Sequence, residues 1–267
     1  MIRKEPRAGY AYYLRMRTVV LITGAGSNLG LSLAGRFLAE GASVAVNDVS
    51  AALLKPALAL AKNDASRVLA VPGNISDERA VKRMIAAVVR RFGCIDILIN
   101  NAAMQGVGYS FLDTPASVFD TVIGVNVRGT YLVSQHAARA MMKKKRGVII
   151  NISSNTSERA LRKRSAYITS KGAIDAMTRA MALDLAPYIR VNSVAPGYIW
   201  TTRWNAIGEK ARRTRRASIP LHEPAQFDDV AEMVLFLASE KARNITGARY
   251  LVDGGCSAQH LPAGVDV

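Results

Sequence analysis

Residues 18–30, TVVLITGAGSNLG, decide the fold of this chain. Their unbroken run of aliphatic and β-branched residues is typical of a strand that is covered on both faces. The run leads into a turn with glycine at positions 24, 26 and 30, and apolar residues then recur at helical spacing. A strand, a glycine-rich turn and a helix in this order predict a phosphate site, because the free N–H groups at a helix start bind anions.

The same alternation continues along the rest of the chain. Short apolar runs predict strands at 18–23, 43–47, 67–71, 95–100, 147–153, 190–195 and 249–252. Helical spacing predicts helices at 29–40, 51–61, 77–92, 118–144, 166–185 and 228–238. Strands that alternate with helices favour an α/β fold with a single doubly wound, Rossmann-like parallel sheet and helices on both faces.

The chain has 267 residues and no composition break that would mark a linker, so we predict one domain over 18–267, with a surface lid near 198–227. Residues 1–17 form a basic leader with five basic residues, one acidic residue and no secretory core. We expect either a native start at Met16 or a loose basic tail. A mitochondrial-type presequence is less favoured, because the leader lacks serine.

Composition excludes several classes of protein. Half of the residues are hydrophobic and 21% are charged, which is typical of a globular protein rather than a disordered one. No apolar run approaches the roughly 20 residues of a membrane span. The two cysteines, Cys94 and Cys256, exclude a disulfide scaffold and favour reduced thiols in a cytoplasmic protein. The three histidines are scattered without ligand spacing, so no metal site is predicted.

Charge is the unusual bulk property. Lys and Arg number 36 against 20 Asp and Glu, which gives a net charge of +16. Such a field attracts anions. No helix-turn-helix, zinc-finger or RNA-binding signature is present, so we expect no specific nucleic-acid partner. A non-catalytic, cofactor-sensing protein that binds polyanions is one interpretation, and an enzyme with an anionic substrate is another.

Asp48 supports a dinucleotide site. It ends the second predicted strand, 18 residues after Gly30. An acidic residue at this place accepts hydrogen bonds from the adenosine ribose and repels a 2′-phosphate. Ser27 is not a basic residue that could bind that phosphate. The sequence therefore favours NAD over NADP as the cofactor.

Tyr167 and Lys171 form the candidate catalytic pair. Of the nine tyrosines, only Tyr167 has a lysine four residues on, which lies one helical turn away on the same face. An ammonium at that distance lowers the pKa of a tyrosine, which can then exchange a proton with a substrate oxygen. Ser153 and Ser154 end the preceding predicted strand, at the sheet edge where such folds bind ligands. Either hydroxyl can bond the same oxygen.

With these features the chain resembles the short-chain dehydrogenase/reductase family over nearly all of residues 18–257. The motifs that carry the resemblance are 23–30 (TGAGSNLG for TGxxxGxG), 100–103 (NNAA for NNAG), 125–127 (VNV), 167–171 (YITSK for YxxxK), 196–201 (PGYIWT for PGxxxT), 245–247 (ITG) and 252–255 (VDGG). Each motif is short, but their joint order and spacing are specific.

The resemblance implies the roles of the catalytic residues. Tyr167 is the general acid/base, and Lys171 lowers the pKa of Tyr167 and binds the nicotinamide ribose. Ser154, 13 residues before Tyr167, is preferred to Ser153 as the group that polarises the substrate oxygen. Asn126 supports a water that connects Lys171 to solvent. Hydride moves between the substrate carbon and the nicotinamide.

The resemblance also implies the cofactor contacts. They are Gly24, Ser27, Asn28, Leu29, Gly30, Asp48, Asn74, Ile75, Asn101, Ala102, Ala103, Tyr167, Lys171, Pro196, Gly197, Ile199 and Thr201. Asn28 stands where the family has a glycine. The turn can still form, because asparagine adopts left-handed backbone angles more readily than most residues. Its side chain is expected to crowd the pyrophosphate. Asn74 stands where the family often has aspartate.

The resemblance implies an oxidoreductase that interconverts a secondary alcohol and a carbonyl. A sugar, polyol or sugar acid is the favoured substrate, and a 3-oxoacyl-thioester reductase is the alternative. Two basic segments favour an anionic substrate, namely Arg159, Arg162, Lys163 and Arg164, and the six basic residues in 200–216. A solvated surface or a contact between subunits would explain the same residues. A homo-oligomer, a tetramer or a dimer, is expected through the long helices near 118–144 and 166–185.

Overall fold

Seven parallel strands form one sheet in the described part of the chain, which comprises residues 18–61, 64–201, 204 and 206–260 of a computed structural model. The strands are β1 (Val19–Thr23), β2 (Ser43–Asn47), β3 (Val68–Ala70), β4 (Ile97–Asn100), β5 (Gly147–Ile152), β6 (Ile189–Pro196) and β7 (Arg249–Val252). Their order across the sheet is β3-β2-β1-β4-β5-β6-β7. The order reverses between β1 and β4, and ligands bind at the carboxyl ends of the strands beside such a reversal.

Helices cover both faces of the sheet, which confirms the predicted fold class. They are α1 (Asn28–Ala39), α2 (Lys55–Ala59), α3 (Glu78–Phe92), α4 (Ala116–Ile123), α5 (Thr130–Met142), α6 (Ser165–Leu185), α7 (Glu209–Ala217) and α8 (Phe227–Ala238). On one face, Phe37 of α1 and Val234 of α8 belong to one buried apolar cluster. On the other, Val88 of α3, Met141 of α5 and Ala182 of α6 belong to a second. Burial on both sides explains why the strands are apolar throughout.

The predicted helix 118–144 corresponds to helical backbone that runs without a break from 116 to 142 but is not α-helical throughout. The structure has α4, a π-helical turn at Gly124–Gly129, and then α5. The wider turn directs Asn126 into the interior, where the side chain is 1% exposed. A Cβ on Gly129 would lie 2.7 Å from Ile75, so this close approach requires glycine. The backbone stays helical through this turn, so the sequence pattern predicts one helix and does not reveal the π-helical turn within it.

Two further elements differ from the prediction. The segment 51–61 is a short 3-10 turn followed by α2, which has Pro56 in its first turn, where no N–H is needed. Helix α7, in the predicted lid, was not expected. It has no buried residue and hence no apolar period, although Glu209 in its first turn and Arg215 and Arg216 in its last suit the helix dipole. The ends of the remaining predicted elements lie within two residues of their predicted positions.

Some expectations fall outside the described residues, namely those on the leader 1–17, including Met16, and on Arg203. None of the described helices combines the length and apolarity that a membrane crossing requires. Over the same residues no three His, Cys, Asp or Glu side chains cluster as metal ligands would. The absence of a metal site stays a prediction.

Candidate active site

A cleft of about 1150 Å³ opens at the carboxyl ends of the strands. Every residue that the sequence predicted as a cofactor contact lines it, as does Ser154. Residues that are far apart in the sequence, such as Gly24 and Thr201, therefore meet at this edge. Among the predicted catalytic and cofactor-binding residues, Asn126 alone is not part of the lining. The structure thus brings together what the motifs placed far apart in sequence.

The glycine turn brings backbone against backbone at the base of the cleft. Gly24 has a φ of +63°, and a Cβ on it would lie 2.7 Å from the Cα of Ala102. A Cβ on Gly30 would overlap the carbonyl oxygen of Gly24. Asn28 adopts a φ of +49°, so the left-handed conformation survives without glycine. Its Nδ2 donates to Ser27 Oγ at 3.1 Å, which turns the amide along the rim of the turn.

The turn ends at an uncapped helix start. Ser27, the N-cap of α1, has extended backbone and no side-chain capping bond. A helix start without a side-chain cap has N–H groups available for a ligand, and these carry partial positive charge. Asn28, Leu29 and Gly30 of the first turn line the cleft. A cradle that leaves no room for a Cβ and ends in such N–H groups fits a pyrophosphate.

Asp48 is fixed at the end of β2 by main-chain donors. Its Oδ2 accepts from the N–H of Gly26 at 3.1 Å, and its Oδ1 accepts from the N–H of Val49 at 2.8 Å. Each oxygen has a second lone pair, so the carboxylate can still accept bonds from the cleft. Ser27, beside it, is exposed. This arrangement suits a ribose with two hydroxyl donors.

Thr23 and Asn101 join the glycine turn to the end of β4. Thr23 Oγ1 accepts from the N–H groups of Asn101 and Ala102, each at 3.1 Å. Asn101 Nδ2 donates to the carbonyls of Thr23 and Gly24, at 3.0 and 2.9 Å. The two strands that flank the sheet's reversal point are thereby held in one arrangement at the floor of the cleft.

Ser154, directly after β5, is buried and accepts two hydrogen bonds. Thr156 donates to Ser154 Oγ from its N–H at 3.2 Å and from its hydroxyl at 2.9 Å. Because both bonds use lone pairs, the hydroxyl proton of Ser154 remains for a further acceptor. Ser153 instead donates its hydroxyl to the carbonyl of Lys171 at 3.4 Å. The geometry favours Ser154 over Ser153 as the group that meets a substrate oxygen.

Lys171 is buried beneath Tyr167 on α6. Its Nζ donates to the carbonyl of Ile152 at 2.7 Å and lies 5.5 Å from the centre of the Tyr167 ring. Burial lowers the pKa of Lys171 from 10.5 to about 8, while the negative charge of Asp175 acts in the opposite direction. The ammonium therefore sits near its titration point at neutral to mildly alkaline pH.

Asn126 connects three elements below the cleft. Its Nδ2 donates to the Met104 carbonyl and to Ser170 Oγ, both at 2.9 Å, and its Oδ1 accepts from the Met104 N–H at 2.7 Å. Ser170 in turn donates to the carbonyl of Tyr167 at 2.7 Å. Asn126 thus ties the π-helical turn to the segment after β4 and to α6. Its expected role in holding a water stays a prediction.

Only part of the basic charge reaches the cleft. Arg159, Arg162, Arg164 and Arg215 line it. Arg164 lies one residue before α6, and its Nη1 donates to Gln105 Oε1 at 3.4 Å. Arg164, just before α6, and Tyr167, in its first turn, both line the cleft.

The remaining basic lid residues do not converge as the sequence suggested. Arg212 pairs with Glu209 at 3.2 Å and Arg216 with Glu223 at 3.4 Å. Neither belongs to the cleft lining, and the same holds for Lys163, Lys210 and Arg213. Lys210, Arg212, Arg213 and Arg216 belong to α7, which directs them away from the cleft, and Lys163 lies in the loop before α6. Arg164, which lines the cleft, is therefore the position at which charge recognition can be tested.

Aromatic residues of the lid pack on one another. Trp204 is 3% exposed, stacks on Trp200 at 5.3 Å between ring centres and meets Tyr198 edge-on at 6.0 Å. The guanidinium of Arg215 lies 5.8 Å from the Trp204 ring centre. Tyr198 and Trp204 still line the cleft, whereas Trp200 does not. The tryptophans thus serve lid packing first.

Several lining residues were not predicted. Met104 and Gln105 follow the NNAA motif directly, so their position after β4 was a usable signal. Cys256 and Gln259 reach the cleft from the C-terminal segment, where Gln259 Nε2 donates to the Ser218 carbonyl at 2.8 Å. Nothing in their local sequence marks them, because only the tertiary fold brings this segment to the lid.

The known proteins that this chain resembles are all named as dehydrogenases or reductases in the comparisons that follow. A family model described as enoyl-(acyl carrier protein) reductase matches residues 24–257. The chain is 40% identical to 2-(R)-hydroxypropyl-CoM dehydrogenase of Xanthobacter autotrophicus, over 91% of this chain and 100% of that protein. It is 35% identical to 3-oxoacyl-[acyl-carrier-protein] reductase of Thermotoga maritima, over 89% and 96%. The structure of NAD+-bound xylitol dehydrogenase superposes with a TM-score of 0.84 at 32% identity, over 89% and 98%.

The fold and the cleft define an oxidoreductase built on a doubly wound sheet. The chain belongs to the short-chain dehydrogenase/reductase family, as its motifs indicated. It acts on alcohol or ketone substrates, and its family uses NAD(P). This membership disfavours the non-catalytic, polyanion-binding interpretation.

Proposed function

We propose that this protein is an NAD(H)-dependent enzyme that interconverts a secondary alcohol and a carbonyl on a small, anionic substrate. The observation that carries the proposal is one cleft that unites the glycine turn, Asp48, and the side chains of Ser154, Tyr167 and Lys171. A sugar acid is the favoured substrate class, within a wider group of sugars and polyols. Relatives named for a polyol and for carrier-bound substrates support both the favoured and the alternative class.

The residues of the cleft fit a nicotinamide dinucleotide. The uncapped start of α1 receives the pyrophosphate, Asp48 accepts from the adenosine ribose, and Asn74 and Ile75 flank the adenine. At the other end, Lys171 binds the nicotinamide ribose. The cofactor, when bound, supplies or accepts the hydride. The remaining chemistry, namely orientation and proton transfer, belongs to the protein.

Proton transfer is assigned to Tyr167. Ser154 holds the substrate oxygen with its free hydroxyl proton, and Tyr167 gives a proton to that oxygen or removes one from it. Lys171 favours the ionised tyrosine through its positive charge, because an opposite charge one helical turn away stabilises a phenolate. Asn126 binds both Met104, in the segment after β4, and Ser170 of α6, which keeps this wall of the cleft in place.

Cofactor preference depends on Asp48 and Ser27. The double substitution Asp48→Ser with Ser27→Arg removes the carboxylate and adds a cation where a 2′-phosphate would lie. We expect the ratio of kcat/KM for NAD over NADP to fall by about 100-fold, since each bond to a charged group contributes on the order of 2 kcal/mol. Steady-state kinetics with both cofactors measure the ratio. Asp184→Ser, at the exposed end of α6, is the matched control. An unchanged ratio would contradict the assignment.

An anionic substrate group would meet Arg164. We expect Arg164→Ala to raise KM for a sugar acid by about 10-fold or more, because a charged hydrogen bond is lost. The KM for the matching neutral polyol should change by less than about twofold. Arg213→Ala removes the same charge outside the cleft and serves as the control. Equal effects on the acid and the polyol would argue against charge recognition.

A 3-oxoacyl-thioester reductase is the second candidate. The cleft is lined by Arg159, Arg162 and Arg215 as well as Arg164, and a phosphorylated carrier arm would suit this charge. The deciding experiment follows NADH absorbance across sugars, polyols, sugar acids and 3-oxoacyl esters. Turnover of sugar acids above the matching polyols supports the favoured class, and turnover of acyl esters alone supports the alternative. Turnover of none of these, with NAD bound, would overturn both.

Assembly and location complete the proposal. A homo-oligomer, tetramer or dimer, would use α4, α5 and α6, where Phe119, Tyr131 and Leu183 are exposed apolar or aromatic side chains. The small exposed residues Ala176 and Ala180 would allow close helix approach. Cys94 and Cys256 are free thiols, which supports a cytoplasmic enzyme.

A further inference from the structure

Arg249, the first residue of β7, makes an unusual number of polar contacts behind the cleft. Its side chain is 15% exposed. Nη2 donates to the carbonyl of Ser154 at 3.2 Å and to Ser157 Oγ at 3.1 Å. Nη1 pairs with Glu158 at 3.0 Å, and Nε lies 3.1 Å from Asp175 Oδ2. One guanidinium therefore joins three separate segments of the chain.

Two of these contacts grip the turn that carries Ser154. The 3-10 turn Asn155–Ser157 begins at Ser154, whose Oγ accepts from the N–H of Thr156. Arg249 binds the carbonyl at the start of this turn and the Ser157 hydroxyl at its end. The position of the Ser154 hydroxyl follows from the position of the turn. Arg249 thus fixes that hydroxyl without touching it.

The contact with Asp175 reaches the helix that carries the proton-transfer residues. Asp175 lies one turn after Lys171 on α6, is 7% exposed, and accepts from Ser193 Oγ at 3.2 Å. A buried carboxylate needs a counter-charge, and Arg249 supplies it. The guanidinium thereby links the Ser154 turn to α6. These contacts, made on the side away from the cleft, fix the distance from Ser154 to Tyr167 and Lys171.

We propose that Arg249 is a positioning residue that sets the Ser154 hydroxyl relative to Tyr167 and Lys171, with Asp175 as its anchor on α6. The inference rests on the proposed roles of those three residues. Arg249 and Asp175 are both absent from the cleft lining, so neither touches substrate or cofactor. Position 249 also falls between the 245–247 and 252–255 motifs and belongs to neither.

The first test compares kcat with cofactor binding. Arg249→Met keeps the apolar stem and removes the guanidinium. We expect kcat to fall by about 10- to 100-fold, since a displacement of about 1 Å at a reacting group can cost that much. The Kd for NADH, measured by fluorescence, should stay within about twofold, because the glycine turn is distant. Arg243→Met, which removes an exposed arginine, is the control and should leave kcat unchanged.

A second variant separates positioning from stability. The double variant Arg249→Met with Asp175→Asn replaces the buried carboxylate by a neutral amide, so no counter-ion is needed. The thermal midpoint should recover towards the wild type, while kcat stays low because the Ser154 turn is still unheld. Recovery of kcat together with the midpoint would overturn the proposal, as would a wild-type kcat in the single variant.

A third measurement needs no turnover. Hydrogen exchange of 154–158 in the NADH complex should be faster in Arg249→Met than in the wild type, while exchange of Glu240–Ala242 stays the same. If the wild type binds NADH but turns over none of the substrate panel, the proposed substrate classes are wrong. The exchange rate of 154–158 still tests the positioning role of Arg249 in that case. Unchanged exchange over 154–158 would contradict the positioning role.

Discussion

Replacing Tyr167 by phenylalanine should reduce kcat by about 1,000-fold, which lies within the range for loss of a general acid or base. The ring keeps its place above Lys171, because the substitution removes only the hydroxyl. NADH binding, followed by fluorescence, should therefore change little. The measurement is NADH absorbance with the best substrate of the panel, at several pH values.

Tyr188→Phe is the matched control for this change. Tyr188 is exposed and lies just before β6, at the sheet end opposite the cleft. The same hydroxyl is lost there, and kcat should be that of the wild type. If Tyr167→Phe retained more than about a tenth of the wild-type kcat, another group would have to transfer the proton.

The second large effect is expected at Lys171. Lys171→Met keeps a chain of similar length in the buried site and removes the ammonium. We expect kcat near neutral pH to fall by about 100- to 1,000-fold, since both the charge beside Tyr167 and a cofactor contact are lost. Cofactor affinity should weaken too, which distinguishes this variant from Tyr167→Phe. Lys143→Met, at the exposed end of α5, is the control.

The same substitution should change how stability depends on pH. The pKa of Lys171 falls from 10.5 to about 8 on burial. Below pH 8 the folded protein therefore carries the full cost of a buried charge. Between about 8 and 10.5 the folded state loses this proton while the unfolded state keeps it, so wild-type stability rises with pH relative to Lys171→Met.

Denaturation with urea measures this difference. Between about pH 7 and about pH 9.5 the free energy of unfolding of the wild type should gain about 2 kcal/mol relative to the variant. The variant serves as the reference for all other titrating groups, because they are common to both proteins. A constant difference over this range would mean that burial does not lower the pKa of Lys171, because the folded and the unfolded states would then keep the same proton.

The sequence predicted the parts of this protein whose signals are local. The apolar strands and the glycine turn each lie within a few consecutive residues, so their structure follows from propensity and spacing. Residues of those motifs, from Gly24 to Thr201, line one cleft because a parallel sheet collects its carboxyl ends at one edge.

What the sequence did not predict depends on contacts between distant segments. Helix α7 has no apolar period, because none of its residues is buried. The network of Arg249 joins residues 154–158, 175 and 249, which share no motif. The sequence also could not predict which basic residues line the cleft. Arg212 and Arg215 lie three positions apart, and yet only Arg215 is part of the lining.

The π-helical turn at Gly124–Gly129 has a consequence for the phase of the helices on either side. An α-helix rotates by about 100° per residue, so one additional residue would turn the inward face of α5 by that angle if the backbone stayed α-helical, and the wider turn takes up this rotation. Leu132 and Met141 of α5 are buried in this phase. A deletion of one residue here would let the backbone continue as regular α-helix with that face still on the sheet, and it would remove the turn that directs Asn126 inward. The wider turn that directs Asn126 inward thus also keeps α5 aligned with its core.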